Sequence, residues 1–95
     1  MFIVLLRFSE NAGRVAELMD GHNAWLKRGF MEGVFVLAGS LQPKLGGAII
    51  AHATTLPELQ TRVNDDPFVA HGVVAAEILA VTPGKADERL AFLLP

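Results

Sequence analysis

The chain has 95 residues, a formal net charge of −2 and no cysteine; 52% of its residues are hydrophobic and 19% are charged. The weak, scattered charge argues against a nucleic-acid partner, and the lack of cysteine excludes disulfides, thiolate catalysis and cysteine-bound zinc. A domain this small buries only about 60 to 65% of its unfolded surface, so its apolar content exceeds what one core requires. We therefore predict a single domain over residues 1–95 that associates with itself.

The first strand is predicted in the apolar run from Phe2 to Phe8, which is rich in β-forming residues. This run is too short to cross a membrane and has neither a basic lead nor a small-residue cleavage site. We therefore expect a cytoplasmic protein with no membrane partner. The tripeptide Ser9-Glu10-Asn11 offers candidate N-cap residues for a following helix.

That helix is predicted from about residue 12 to residue 32, where apolar residues recur at intervals of three and four. The apolar stripe contains Val15, Leu18, Met19, Trp25, Leu26 and Phe30. His22 lies on the same stripe, and Gly33 is a suitable residue to end the helix.

Two strands are predicted next, over Val34–Leu41 and Ala48–Thr54, with a turn at Pro43–Gly47 between them. Because this connection is hairpin-short, the two strands should be antiparallel. The pair Gly46-Gly47 is a weak signal for a phosphate-binding loop, since no GxGxxG or following Lys-Ser/Thr accompanies it. A hairpin turn is the better interpretation.

A second helix is predicted to begin at Thr55, which forms a capping box with Glu58 three residues later. It must end before Pro67, because a proline disfavours helical geometry at the residue that precedes it. The fourth strand is predicted over Val73–Val81, and residues 85–94 form a short tail that is helical or packs on a partner.

Both faces of the resulting sheet need to be buried, because strands one, three and four are apolar at nearly every position. Two helices cover one face, so we predict that the other face packs against a second subunit in a symmetric dimer. The alternative is a monomer whose small strand residues tolerate water. These residues are Ala48, Ala51, Ala53, Ala75 and Ala76.

The smallest constellation that could transfer protons is His22 with Asp66. A histidine on an apolar helix face is often a core residue, and Asp66 before Pro67 is a good helix N-cap. The two roles of Asp66 are compatible, because one carboxylate oxygen can cap the turn while the other orients an imidazole. The 44 residues between the two side chains mean that only the fold can bring them together.

Other polar and aromatic residues allow two interpretations each. Trp25 is either a core residue or an apolar wall of a cleft. His52 and His71 could join His22 as metal ligands, but their spacing does not favour this, and we expect no metal. Arg7 and Arg62 are candidate anchoring groups whose faces the sequence does not fix.

Several short motifs together resemble the YciI-like (YCII-related) family. In chain order they are His22-x-x-Trp25-Leu26, Gly33-x-Phe35-Val36-Leu37-Ala38-Gly39-Ser40-Leu41, Gly46-Gly47-Ala48-Ile49-Ile50, Asp66-Pro67-Phe68 with Gly72-Val73, and Lys85-Ala86-Asp87-Glu88-Arg89-Leu90. The resemblance implies a ferredoxin-like α+β fold, β-α-β-β-α-β with an antiparallel four-stranded sheet, assembled as a dimeric α/β barrel.

The resemblance also implies a histidine and aspartate centre, which in this chain falls on His22 and Asp66. Many relatives have proline after the Ala-Gly pair, where this chain has Ser40. Ser40 either adds a hydroxyl to the pocket or is a small strand residue. With Trp25 and Phe68 it completes the set of predicted substrate-binding residues.

Two functions follow as hypotheses. The first is a cofactor-independent lyase or isomerase acting on a small hydroxylated or carbonyl-bearing molecule, in which His22 removes a proton and Asp66 holds the ring. The second is a small-ligand binding or accessory domain that performs no chemistry. The absence of a clear third catalytic group slightly favours binding.

Overall fold

A computed structural model describes every residue of the chain, from Met1 to Pro95. The regular elements in chain order are β1 (Phe2–Phe8), α1 (Val15–Met31), β2 (Phe35–Leu41), β3 (Gly46–Ala51), α2 (Leu56–Asn64), α3 (Pro67–Ala70) and β4 (Val74–Ala80). A short 3-10 helix at Ala12–Arg14 precedes α1, and a second one at Glu88–Leu93 follows β4 near the end of the chain.

The four strands form one sheet in the order β2-β3-β1-β4, and every neighbouring pair is antiparallel. β1 is an inner strand, between β3 and β4, which suits its apolar sequence. In the register of the sheet, Val4 lies between Ile49 of β3 and Ile78 of β4. This arrangement confirms the predicted α+β, ferredoxin-like β-α-β-β-α-β fold.

The core lies between the helices and one face of the sheet. Its fully buried side chains include Val4, Trp25, Leu59, Val63 and Val73. The ring of Phe35 packs directly on α1 at Gly29, where an added Cβ would overlap the ring. A glycine at this position therefore sets how closely β2 and α1 approach.

The opposite face of the sheet has no helix over it. By strand alternation, this open face contains the outward-pointing residues of all four strands, including Ile3, Leu37, Ile50 and Leu79. Leu37 is 59% exposed and Leu79 is 41% exposed. The predicted surplus of apolar surface is therefore present on one side of the protomer.

The element ends differ most from the sequence prediction at α1 and β3, where β3 also begins at Gly46 instead of Ala48. α1 begins at Val15 rather than near residue 12, since the Asn11 side chain caps no helix but donates to the carbonyl oxygen of His71 at 2.8 Å. β3 runs from Gly46 to Ala51 and stops short of Thr54, because Ala53 has a positive φ of 52° that turns the chain. The predicted Thr55 cap is present and accepts from the backbone N–H of Glu58 at 3.3 Å.

None of the helices combines the length and the apolar character that crossing a bilayer requires.

Candidate active site

A cavity of about 330 Å³ lies between α1 and the sheet. Its floor contains a row of three residues that are in register across β2, β3 and β1: Ser40, Gly47 and Leu6. Because Ser40 and Gly47 carry little or no side chain, the sheet leaves space under α1 at this row. Met19, His22 and Leu26 of α1 form the roof.

The turn Asp66-Pro67-Phe68 brings Phe68 to the wall of this cavity and places Asp66 behind it. Asp66 is the N-cap of α3, and its Oδ1 accepts the backbone N–H of Phe68 at 3.0 Å. Pro67 follows at the first helical position, where a missing N–H costs nothing. Asp66 is completely buried, so a short helical turn delivers a carboxylate into the protein interior.

His22 and Asp66 are in direct contact. The Nδ1 of His22 lies 2.8 Å from the Oδ1 of Asp66, and the histidine side chain is 13% exposed. A carboxylate only accepts hydrogen bonds, so this contact assigns the proton to Nδ1. In the neutral ring Nε2 then carries the free electron pair.

Nε2 of His22 remains available to a ligand. It has no partner in the protein, and it is not among the buried polar atoms that lack one. His22 contributes to the cavity wall. The imidazole thus bonds to a buried carboxylate through one nitrogen and has an accessible, unbonded nitrogen on its other side.

The ring of Phe68 stacks on one face of the His22 imidazole. The two rings are nearly parallel, with an angle of 4° between their planes and 4.0 Å between their centroids. Since Phe68 and Asp66 belong to the same turn, one segment fixes the His22 ring both at its edge and at its face.

Trp25 is in the core: its side chain is 1% exposed, its indole N–H donates to the carbonyl oxygen of Arg62 at 2.8 Å, and it is not among the residues that line this cavity. Its role in substrate binding stays a prediction. Asp66 does not divide its roles between two oxygens, because Oδ1 serves both Phe68 and His22. Its Oδ2 is buried and has no partner.

Ser40 and Phe68 both line the cavity, while their roles in substrate binding stay predictions. Asn23 and Gly47 are among the lining residues that the sequence did not single out. Asn23 follows His22 on α1, and this adjacency is a signal that the sequence contains. Gly47 has the sequence context of a turn, whereas its place in β3 and its register with Ser40 make it part of the floor.

No lysine or arginine lines the cavity. Four arginines instead form ion pairs with exposed carboxylates: Arg7 with Glu77, Arg14 with Glu17, Arg62 with Glu32, and Arg89 with Asp87. Hydrogen bonds from these guanidinium groups lower the pKa of Glu17, Glu32 and Asp87. Arg7 and Arg62 therefore do not anchor a ligand in the cavity of this protomer.

The comparisons with known proteins agree with this architecture. The sequence model of the YCII-related domain matches residues 1–82, and the chain belongs to this family. It is similar in structure to the 5-chloro-2-hydroxyhydroquinone dehydrochlorinase TftG from Burkholderia phenoliruptrix, solved in complex with 2,5-dihydroxybenzoquinone.

That likeness has a TM-score of 0.69 and 18% sequence identity, and it covers 88% of this chain and 96% of the other. At this identity it establishes the fold. No curated protein is close enough in sequence to be matched.

Proposed function

We propose that the protein is a small cofactor-independent enzyme of the lyase or isomerase type that acts on a hydroxylated or carbonyl-bearing molecule. The observation that carries this proposal is the contact of 2.8 Å between His22 Nδ1 and Asp66 Oδ1, which leaves Nε2 without a protein partner on a side chain that lines the cavity. A general base needs this combination of an accessible electron pair and a fixed ring.

In the proposed reaction, Nε2 of His22 accepts a proton from a hydroxyl group or an activated C–H of the substrate. The electron pair left behind enters the substrate's conjugated system. In a lyase acting on a hydroxylated ring, the imidazolium returns this proton to the ring carbon that bears the leaving group, and loss of a second hydroxyl proton then drives out that group with its bonding pair, so that HX is lost and a quinone forms. In an isomerase the imidazolium returns its proton to a different atom and nothing leaves. Asp66 stabilises the imidazolium through Nδ1–H and keeps the ring oriented.

The structural neighbour supports a hydroxylated ring as the substrate type. It is named as a dehydrochlorinase of a chlorinated hydroxyhydroquinone, and its complex contains a dihydroxybenzoquinone. Ser40 and Phe68 in the cavity suit such a ligand, since the Ser40 hydroxyl can bond a ring oxygen and the edge of Phe68 adds apolar surface beside the His22 ring on which it stacks.

A ligand-binding domain without catalysis is the second candidate. It is favoured by the sparse polar lining of the cavity, in which His22 is accompanied only by Asn23 and Ser40. An enzyme of this class would have to stabilise the charge that develops on its substrate through these two uncharged groups.

We also propose that the open face of the sheet, exemplified by Leu37 and Leu79, packs against a second copy of the chain. Large exposed apolar patches on soluble proteins mark interaction sites, and a two-fold axis would let the same patch cover itself. The cytoplasmic location stays a prediction.

The test is turnover of 5-chloro-2-hydroxyhydroquinone and related hydroxylated rings, followed by absorbance and by chloride release. Removing a general base costs about 10²- to 10⁴-fold in rate, so His22→Ala should lose at least 100-fold. His52→Ala is the matched control, since His52 does not line the cavity. Turnover that His22→Ala leaves unchanged would refute the assignment; binding without turnover would favour the second candidate.

A further inference from the structure

The side chains that line the cavity include no charged group apart from His22, which is bonded to the Asp66 carboxylate. Asn23 and Ser40 are neutral, and no cationic side chain reaches the wall. The charge nearest to His22 is the carboxylate of Asp66, which is completely buried and has one oxygen, Oδ2, without any partner. A ligand in the cavity therefore lies beside a histidine that is bonded to a buried carboxylate, and no lysine or arginine side chain lines the walls around it.

This charge distribution discriminates between ligands that have the same ring. A carboxylate that enters would lose its water, find no cation and be repelled by Asp66 across a poorly screened interior. A phenolic hydroxyl or a quinone carbonyl needs only one hydrogen bond. The hydroxyl of Ser40 can donate to a carbonyl oxygen or accept from a phenolic hydroxyl, and the Nε2 of His22 can accept from a phenolic hydroxyl.

Gly47 leaves part of the cavity floor open. It lies in register between Leu6 and Ser40, and an added Cβ would meet only the carbonyl oxygen of Gly39, at 3.2 Å. The rest of the space that a side chain would occupy at position 47 is therefore empty cavity. Since about 150 Å³ suffices to hold benzene, the 330 Å³ present here fits one substituted ring.

Resting on the proposed function of this same site, we infer that its substrate is an uncharged single-ring phenol or quinone and that the corresponding ring carboxylic acid is excluded. Gly47 is the residue that determines specificity for ring size. The uncharged wall next to Asp66 determines specificity for charge.

The experiment compares three probes at pH 7.5 by calorimetry or by chemical-shift titration: hydroquinone, 2,5-dihydroxybenzoic acid and its methyl ester. All three share the two ring hydroxyls, and the ester is neutral but larger than the acid, so charge and size are separated. We expect both neutral probes to bind with a Kd at least tenfold lower than that of the acid. Equal or tighter binding of the acid, or no binding of either neutral probe, would overturn the inference.

Gly47→Val should weaken binding of the neutral probes more than tenfold by filling the floor. Ala75→Val is the matched control. Ala75 lies in β4 on the face of the sheet opposite to the cavity, so the same branched side chain placed there should leave the Kd unchanged. Equal binding by wild type and a folded Gly47→Val would remove Gly47 from the account, with folding checked by thermal unfolding.

Failure of this inference and failure of the proposed function give different results. If the acid binds as well as its ester while turnover still depends on His22, only the charge selection is wrong. If the neutral rings bind selectively but no turnover depends on His22, the selection stands and the enzyme mechanism fails.

Discussion

Asp66 and His22 are joined by the same oxygen that caps a helix: Oδ1 of Asp66 accepts both Nδ1–H of His22, at 2.8 Å, and the backbone N–H of the turn it starts. The orientation of the imidazole is thereby coupled to the folding of the Asp66-Pro67-Phe68 turn. A substitution at Asp66 should consequently affect stability and the site together.

Asp66→Ala should lower the free energy of unfolding by roughly 2 to 4 kcal/mol. A lost N-cap accounts for about 1 kcal/mol, and leaving a largely buried donor on His22 unpaired adds about 1 to 3 kcal/mol. Urea denaturation measures this change. Asp65→Ala is the control, because Asp65 is exposed and should shift stability by less than about 0.5 kcal/mol. Equal effects of the two substitutions would contradict the buried role of Asp66.

Gly29→Ala should destabilise the protein even though alanine is the better helix former. The added Cβ overlaps the ring of Phe35, so the ring or β2 would have to move. Such overpacking of a core typically costs about 1 to 3 kcal/mol. The better helix propensity of alanine returns only about 1 kcal/mol, so the net effect should be destabilising. Thermal unfolding checks this. Gly13→Ala serves as the control, since no atom lies within 4 Å of its added Cβ; a stabilised Gly29→Ala would show that the packing is looser than described.

The ion pair between Arg62 and Glu32 should make a small pH-dependent contribution to stability. The hydrogen bond from Arg62 lowers the pKa of Glu32 below its ordinary value. A carboxyl whose pKa is lower in the folded state stabilises the protein above its unfolded pKa, and this contribution is lost as the pH falls through the folded value.

Glu32→Gln should therefore lower the Tm at pH 7 by more than it does at about pH 2 to 3, where carboxyl groups are protonated. Differential scanning calorimetry at both pH values measures the two differences. Glu10→Gln is the control, because Glu10 is exposed and forms no ion pair. A deficit that grows as the pH falls would have the wrong sign for this interaction.

The open face of the sheet should hold two copies of the chain together. We expect sedimentation of the wild type at micromolar concentration to give a dimer, and Leu37→Lys to shift it toward monomer because a charge on this face would be buried without a partner. Leu56→Lys is the control, since Leu56 is similarly exposed but starts α2. A wild-type monomer well above micromolar concentration would remove the dimer proposal.

The sequence was sufficient for the fold because its signals are local. Helix-period apolar residues in α1, the Thr55 cap and the Asp66-Pro67 turn each reflect interactions within a few residues. The place of Trp25 was harder to predict, since an apolar stripe does not say whether a side chain faces the core or a cavity. The role of Gly47 cannot be predicted from the sequence, because it depends on the empty space above β3, which only the packed structure shows.

The sequence also cannot show that His22 and the backbone of Phe68 bond to the same oxygen of Asp66. Residue types show that Asp66 can accept several hydrogen bonds, but which oxygen does so depends on the side-chain rotamer and on how α3 packs against α1. The resemblance to a family indicated the pair, and the geometry comes from the structure.

The tautomer of His22 tests the central claim most directly. A two-bond ¹H–¹⁵N correlation spectrum of the labelled protein, at a pH where the ring is neutral, distinguishes a proton on Nδ1 from one on Nε2, with His52 and His71 as internal references. The account predicts the Nδ1–H form for His22 and its loss in Asp66→Ala. A proton on Nε2, or averaging of the two forms in the wild type, would contradict the account.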